Sequence, residues 1–279
     1  MRDLTGKVAV ITGAAGGIGT ALANSFAAQG MRLALSDVDS SALDALVKSF
    51  QDKGVQAIGV QADVAKAADL ETLADRTYAE FGAAHVLCNN AGIGSSGLTW
   101  RLTLEEWKRA IDINLWGVIH GQHAFLPRMM AQEEGHIVNT ASMSGLLAGM
   151  GTGPYAATKH AVVGLTETMH HEFVITGSPL RASVLCPAWT RSNIAESTPP
   201  ANGEGLEAKL MAKASEAIGA AVRAGKPAEE VADAVVEAVK EQRFWVLTHP
   251  EFLPVVTDRF SRAVNGEEPV IPPVIPQQR

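Results

Sequence analysis

VAVITGAAGGIG, residues 8–19, is the stretch on which the fold turns. Val8 to Thr12 is a short apolar, β-branched run that empties directly into a turn carrying Gly13, Gly16, Gly17, Ile18 and Gly19. An Ala-rich stretch follows and stops at Gly30. A buried strand, a tight glycine turn and a glycine-terminated helix open a βαβ unit. Glycines here let the backbone approach a pyrophosphate, whose charge faces the helix N-terminus. Ordinary strand–helix turns also use glycine, so the position directly after the first strand carries the weight.

Outward from that turn the alternation continues. Strands are expected at 8–12, 32–36, 55–61, 85–88, 136–140, 182–186 and 244–247. Helices are expected at 17–30, 40–52, 66–81, 102–130, 154–176 and 228–242, with Trp107, Ile111, Leu115 and Val118 at helical spacing in the fourth. Seven strands with helical crossovers predict a three-layer α/β fold: a doubly wound, seven-stranded parallel sheet with helices on both faces. No composition break divides the body of the chain, so residues 1–250 read as one catalytic domain and 251–279 as a C-terminal extension. Residues 193–226 exceed an ordinary connection and carry proline- and glycine-rich breaks around an Ala-rich helix, an insertion suited to a lid. The end, PVIPPVIPQQR, excludes a regular helix and is expected either disordered or extended on a neighbouring subunit.

Composition removes several classes of function. A net charge of -7 with scattered basic residues gives no long-range attraction to nucleic acid or anionic lipid. No run approaches the ~18 apolar residues of a membrane span, and the N-terminus has no signal-like apolar region, so a cytoplasmic protein is expected. Cys88 and Cys186 lie in apolar runs and read as buried thiols, not as a disulfide or metal site. His120 and His123, with His170 and His171, lack acidic or cysteine partners and read as surface or interface histidines, so no metal is expected.

Two clusters carry chemistry. Asp37 ends the second strand eighteen residues beyond Gly19, where a carboxylate accepts from ribose hydroxyls and repels a 2′-phosphate. Neither the turn nor Val38 offers an arginine, so NAD is preferred over NADP; a plain turn aspartate is the alternative. Tyr155 stands four residues before Lys159, which puts phenol and ammonium on one helix face. The positive charge is expected to lower the phenol's pKa, although such a pair also occurs on solvated surfaces. Ser142, thirteen residues earlier and just past a strand end, favours the catalytic reading, because ligands of open α/β sheets bind at those ends. The other tyrosine, Tyr78, is expected on a solvated helix face.

The set resembles the short-chain dehydrogenase/reductase family, whose members have a Rossmann fold. TGAAGGIG is similar to its TGxxxGxG turn, and Asn89, Asn90, Ala91 and Gly92 look like its NNAG motif. Asp63 and Val64 resemble the pair flanking adenine, and Asn114, Ser142, Tyr155 and Lys159 match its catalytic tetrad. Pro187, Trp189 and Thr190 stand at the nicotinamide contact, with Ala188 where the family usually has glycine. The resemblance implies an NAD-dependent alcohol dehydrogenase or ketoreductase in which Tyr155 moves the proton and Ser142 holds the substrate oxygen. Lys159 would hold the nicotinamide ribose, and Asn114 would bend its helix and hold a water. It also implies a homodimer or homotetramer.

Ile93, Met143, Leu146, Leu147, Met150 and Trp189 suggest an apolar pocket, although each is also an ordinary core residue. With RFWVLTHP at 243–250, which resembles a subgroup acting on large alicyclic or aromatic alcohols, they imply a hydrophobic secondary alcohol or ketone. Rivals are a 3-oxoacyl thioester reductase of the same family, a non-catalytic dinucleotide sensor, and, more weakly, a sugar-nucleotide epimerase or dehydratase.

Overall fold

Val8–Thr12 (β1) is buried at every position, as a strand covered on both faces requires. The structure is a computed structural model and describes residues 1–192, 194 and 205–274. Among these residues seven strands form one parallel sheet. They are β1, Arg32–Asp37 (β2), Ala57–Gln61 (β3), Val86–Asn89 (β4), Gly135–Thr140 (β5), Leu180–Leu185 (β6) and Trp245–Val246 (β7). Their order is β3-β2-β1-β4-β5-β6-β7. The chain winds outward from β1 to β3, then crosses back to place β4 on the other side of β1. That reversal opens a crevice between the carboxyl ends of β1 and β4.

Alternation along each strand sends successive side chains to opposite faces. Ala9 and Ile11 meet Leu22 and Phe26 of α1 (Gly17–Ala28), Leu43 and Phe50 of α2 (Ser40–Gln51) and Val231, Val235 and Val239 of a helix at Ala228–Glu241. Val10 and Leu87 face the other way. They meet Leu70 and Leu73 of α3 (Ala67–Phe81), Phe125 and Met129 of Gly117–Met129, and Met169 and Phe173 of Gly153–Ile175. In chain order the remaining helices are α4 (Leu104–Ile111), α5 (Gly117–Met129), α6 (Gly153–Ile175), α7 (Gly205–Ala224), α8 (Ala228–Glu241) and α9 (Leu253–Asn265).

Local chemistry sets the ends. The Asp39 carboxylate accepts from Ala42 N–H at the start of α2. Thr103 and Glu106 form a reciprocal capping box on α4. Pro154 occupies the first turn of α6, where its missing N–H has no partner to lose.

Several expectations need adjustment. β3 starts at Ala57 instead of 55, and the expected helix over 102–130 is α4 and α5 joined by a π-helical turn at Asp112–Trp116. α9 was not anticipated in the C-terminal extension, yet its signals are local: Pro254 in the first turn and a left-handed stop at Gly266 (φ 71°). Arg259 of α9 donates to the Leu146 carbonyl at 2.8 Å, tying the extension to the region after β5. Of the expected 193–226 insertion, α7 is its Ala-rich helix, and residues 193 and 195–204 lie outside the described residues. The terminal segment turns back on its own chain, since the Trp189 indole N–H donates to the Val274 carbonyl; residues 275–279 lie outside the described residues. Tyr78 is half-buried against Phe125 and under Arg128, and burial pushes its phenol up to about 12. Both cysteines are free and buried. Among the described residues no helix is long and apolar enough to cross a membrane.

Phe26 has no solvent exposure and joins α1 to α2 and α8. Phe26→Ala is expected to cost about 3–5 kcal/mol, read as a lower denaturant midpoint at unchanged slope. An unshifted midpoint would mean that this face of the sheet does not carry the core.

Candidate active site

Gly13 adopts φ +64°, and a Cβ there would stand 2.8 Å from the Ala91 Cα. A Cβ on Gly19 would stand 2.0 Å from the Gly13 carbonyl oxygen. Both positions therefore exclude any side chain, and the first also needs the left-handed backbone glycine tolerates. The turn leads into α1, where the preceding Gly16 offers no side-chain cap and the first turn holds no acid. Its unpaired N–H groups, Gly17 and Ile18 among the residues at this end, form a cradle suited to an anion.

Asp37 comes to this turn. One carboxylate oxygen accepts from Ala15 N–H at 3.0 Å and the other from Asp39 N–H at 3.1 Å. Val38 beside it is 65% exposed. Across the crevice, Thr12 stitches β1 to β4: its hydroxyl accepts from Asn90 N–H at 3.0 Å and Ala91 N–H at 3.1 Å. The Asn90 amide returns the contact, donating to the Thr12 and Gly13 carbonyls. Asp63 accepts from Ala65 N–H, and the buried Val64 offers its carbonyl to His120 Nδ1 at 2.8 Å.

His120 was expected at the surface or at an interface. It is half-buried, stacks on Trp116 and binds a backbone carbonyl. His170 likewise packs on Phe244, while His123 and His171 are exposed. Among the described residues no group of His, Cys, Asp and Glu could hold a metal.

The π turn delivers Asn114, which is fully buried. One extra residue per turn widens the helix there and rotates the side chain inward. Its amide brackets Ile93, accepting from Ile93 N–H at 2.8 Å and donating to the Ile93 carbonyl at 3.0 Å. A Cβ on Gly92 would meet the Asn114 Oδ1 at 3.1 Å and the Lys159 Nζ at 3.4 Å, so these groups converge on one point.

Lys159 is 3% exposed and its Nζ donates to the Thr140 carbonyl at the end of β5, 2.8 Å away. Tyr155, one turn earlier, is half-buried, and the lysine nitrogen lies 5.6 Å from its ring centre. Its N–H is held by the Ser95 hydroxyl at 3.1 Å, a contact with no signal in the sequence. Ser142 caps the short turn Met143–Gly145; its hydroxyl accepts from Ser144 N–H and donates to the Pro187 carbonyl.

Electrostatics depart from the simple expectation of a phenol acidified by its lysine. Burial raises the Tyr155 pKa, the hydrogen bond from Ser142 opposes that rise, and neighbouring Cys186 adds to it. Burial lowers Lys159 from 10.5 to about 8, with Cys186 pulling the other way. Desolvation is the largest cause of both shifts.

The segment 187–190 closes the site from β6. Met143 N–H donates to the Pro187 carbonyl at 2.8 Å, and Trp189 is fixed through its own carbonyl by Lys226 N–H at 2.9 Å. Thr190 is buried. Of the apolar pocket set, Met143, Leu146 and Leu147 belong to a buried cluster with Val162, Val163 and Cys186, against which Trp189 packs. Met150 lies apart, in an outward groove with Leu98, Trp100, Ala156 and His160. Ile93 stays beside Asn114. His249, in contact with this closing segment at two atoms, is not singled out in the sequence, because the stretch 243–250 that contains it is read there only for the bulk of the substrate.

A profile of the short chain dehydrogenase family matches residues 7–203. A short chain dehydrogenase/reductase from Burkholderia phymatum, crystallised in complex with NAD, aligns with a TM-score of 0.92 at 41% identity, covering 98% of this chain and 99% of that one. The CLA biosynthesis dehydrogenase/reductase of Lactiplantibacillus plantarum is 32% identical over 277 residues, 96% of this chain and 97% of that protein. The 1-deoxy-11-beta-hydroxypentalenate dehydrogenase of Streptomyces avermitilis is 34% identical over 258 residues, 91% of this chain and 89% of that protein.

The lysine supplies a test of the site's electrostatics. With the folded pKa at about 8 against 10.5 when free, the unfolded chain binds more protons across that window. Stability therefore rises with pH through it, and the penalty of charging the buried amine is fully present below it. Lys159→Met is expected to be more stable than the parent near neutral pH by about 1–3 kcal/mol, a gap that narrows as pH rises towards 10.5. Parallel denaturation curves for the two proteins at all pH values would contradict this.

Proposed function

The chain belongs to the short-chain dehydrogenase/reductase family of oxidoreductases, and from that premise we propose that it uses NAD to interconvert a hydrophobic secondary alcohol and its ketone. The observation that carries this reading is the convergence of Ser142, Tyr155 and Lys159 at the carboxyl end of β5, across from a glycine turn that excludes side chains.

The fit to a dinucleotide rests on three features. The Gly13 and Gly19 positions admit no Cβ, which keeps the turn tight and its backbone bare. The uncapped start of α1 presents N–H groups to a pyrophosphate. Asp37, held at the rim by Ala15 N–H, presents a carboxylate to ribose hydroxyls and repels a 2′-phosphate. Gly13, Gly16, Gly17, Ile18 and Gly19 would take the pyrophosphate side, Asp63 and Val64 the adenine, and Asn90, Ala91 and Gly92 the middle of the molecule. Lys159, Tyr155 and 187–190 would take the nicotinamide end. When bound, NAD accepts the hydride in alcohol oxidation and its reduced form returns it in ketone reduction.

The protein's own task is to handle one proton and one partial charge. Tyr155 keeps its phenolic proton in the open site because burial disfavours the anion, so it is ready to donate to a ketone oxygen. In oxidation the phenol would first release its proton towards solvent, and the phenolate, supported by the nearby Lys159 ammonium, would then take the hydroxyl proton. Ser142 donates to the substrate oxygen where negative charge grows, an interaction strongest in the transition state. Asn114 holds Ile93 and, beside Lys159, keeps the substrate side of the crevice in shape.

The substrate class we propose rests on the apolar character of Ile93, Met143, Leu147 and Trp189, of which Met143 and Leu147 are themselves buried, with Met150 further out. The relative from Streptomyces avermitilis, whose name specifies a hydroxypentalenate, supports an alcohol carried on a carbon skeleton. The assembly we propose is a homodimer or homotetramer.

Tyr155→Phe should bind NADH within about threefold of the parent yet lose about 10²–10⁴-fold in turnover. Steady-state rates across an alcohol panel, followed by absorbance of the reduced cofactor, check this; near-parental turnover removes Tyr155 from the chemistry. Asp37→Ser should shift the ratio of kcat/KM for NAD over NADP towards NADP by on the order of 10- to 100-fold. An unchanged ratio would mean that the carboxylate does not choose the cofactor.

A further inference from the structure

We propose that His249 is a positioning residue that clamps the 187–190 loop in the form that receives the nicotinamide end of the cofactor. The proposal rests on the reading above that this loop meets the cofactor.

His249 follows β7, far from the tetrad in sequence, and is 3% exposed. Its two ring nitrogens contact the backbone of two successive residues of the loop. Ala188 N–H donates to Nδ1 at 3.1 Å, and Nε2 lies 3.0 Å from the Trp189 carbonyl. An amide N–H can only donate and a carbonyl can only accept. One protonation state satisfies both: the neutral ring with its proton on Nε2. The Thr248 hydroxyl, 2.9 Å from Nδ1, completes the acceptor's surroundings.

From the other side the loop is held by the 225–226 backbone. Lys226 N–H donates to the Trp189 carbonyl and Arg191 N–H to the Lys226 carbonyl. A Cβ on Gly225 would stand 2.4 Å from the Trp189 oxygen, so the backbones touch. The loop also supplies the Pro187 carbonyl that receives the Ser142 hydroxyl, so its position reaches the reacting end of the site. The histidine acceptor fixes the orientation of the Ala188 peptide.

A charge on the ring would break the arrangement, because a protonated Nδ1 would face the Ala188 N–H donor to donor. Burial already disfavours that charge, with the Trp189 carbonyl, Glu251 and Glu230 favouring it and Lys226 opposing it. With the folded pKa below 6.5, the clamp is complete above that pH and is lost as pH falls through the folded value.

The test compares the parent with His249→Ala, His249→Asn and His249→Gln in the full chain. Asn keeps an acceptor in the place of Nδ1, Gln keeps a donor in the place of Nε2, and neither titrates. Backbone hydrogen exchange of the peptide 186–191 is read without cofactor, and the NADH Kd is read by fluorescence across pH. We expect exchange of that peptide to quicken about tenfold and the Kd to rise about tenfold in the alanine variant, with Asn and Gln in between. We also expect the parent's Kd to worsen on acidification while the Asn and Gln variants stay flat.

An alanine variant with parental exchange and a Kd within about twofold of the parent overturns the clamp. So does an acid limb that persists at the same midpoint in the Asn and Gln variants. Should His249→Ala fail to fold, the Asn and Gln variants carry the comparison. A parent that binds no NADH at any pH sinks the cofactor reading itself, and that arm tells the two failures apart.

Discussion

The backbones of Gly13 and Ala91 touch, with no room for a side chain between them. This approach closes the bottom of the crevice where the winding of the sheet reverses, between β1 and β4. The Thr12 hydroxyl and the Asn90 amide lock it with four hydrogen bonds between the two strand ends. Because the sheet's core is packed on both faces, the positions of these ends are not free to drift. The turn before α1, the Asp37 carboxylate above it and the Asn90–Gly92 segment all take their places from this contact.

A second constraint is polar and buried. Lys159 is tied to the Thr140 carbonyl, Asn114 to Ile93 and Thr158, and Gly92 leaves space for both. Removing these groups from water costs stability, and the cost is visible in the lowered pKa of Lys159. The π turn at Asp112–Trp116 belongs to the same economy: a regular helix would give up no backbone geometry but would turn Asn114 elsewhere. Deeper in, Asn89, Asn139 and Thr166 form a chain of side-chain hydrogen bonds from β4 through β5 to α6. The site thus stands on a polar spine within an otherwise apolar sheet.

The third element is the closing segment after β6. It takes its shape from residues that arrive late in the chain: Lys226, His249 and Val274 each contact Trp189. The C-terminal extension therefore helps to hold this segment in place. Arg259, reaching the Leu146 carbonyl from α9, ties the same extension to the turn that carries Ser142.

The chain's own order of residues determined the layers and the succession of strands and helices, and it marked the candidate site residues. Glycines 13 to 19 announce a turn that needs no tertiary context, Tyr155 and Lys159 share a helix face by spacing alone, and Asp37 ends a strand that begins at Arg32. These are short-range facts, and short-range patterns are what a sequence displays. Contacts between distant segments were decided only in three dimensions. Nothing near His249 foretells Ala188, nothing near His120 foretells Val64, and the proline-rich end gives no hint that Val274 returns to Trp189. The sign of the Tyr155 pKa shift also belongs to the fold. Spacing brings an ammonium near the phenol, but only packing removes water, and burial is the largest cause of both shifts.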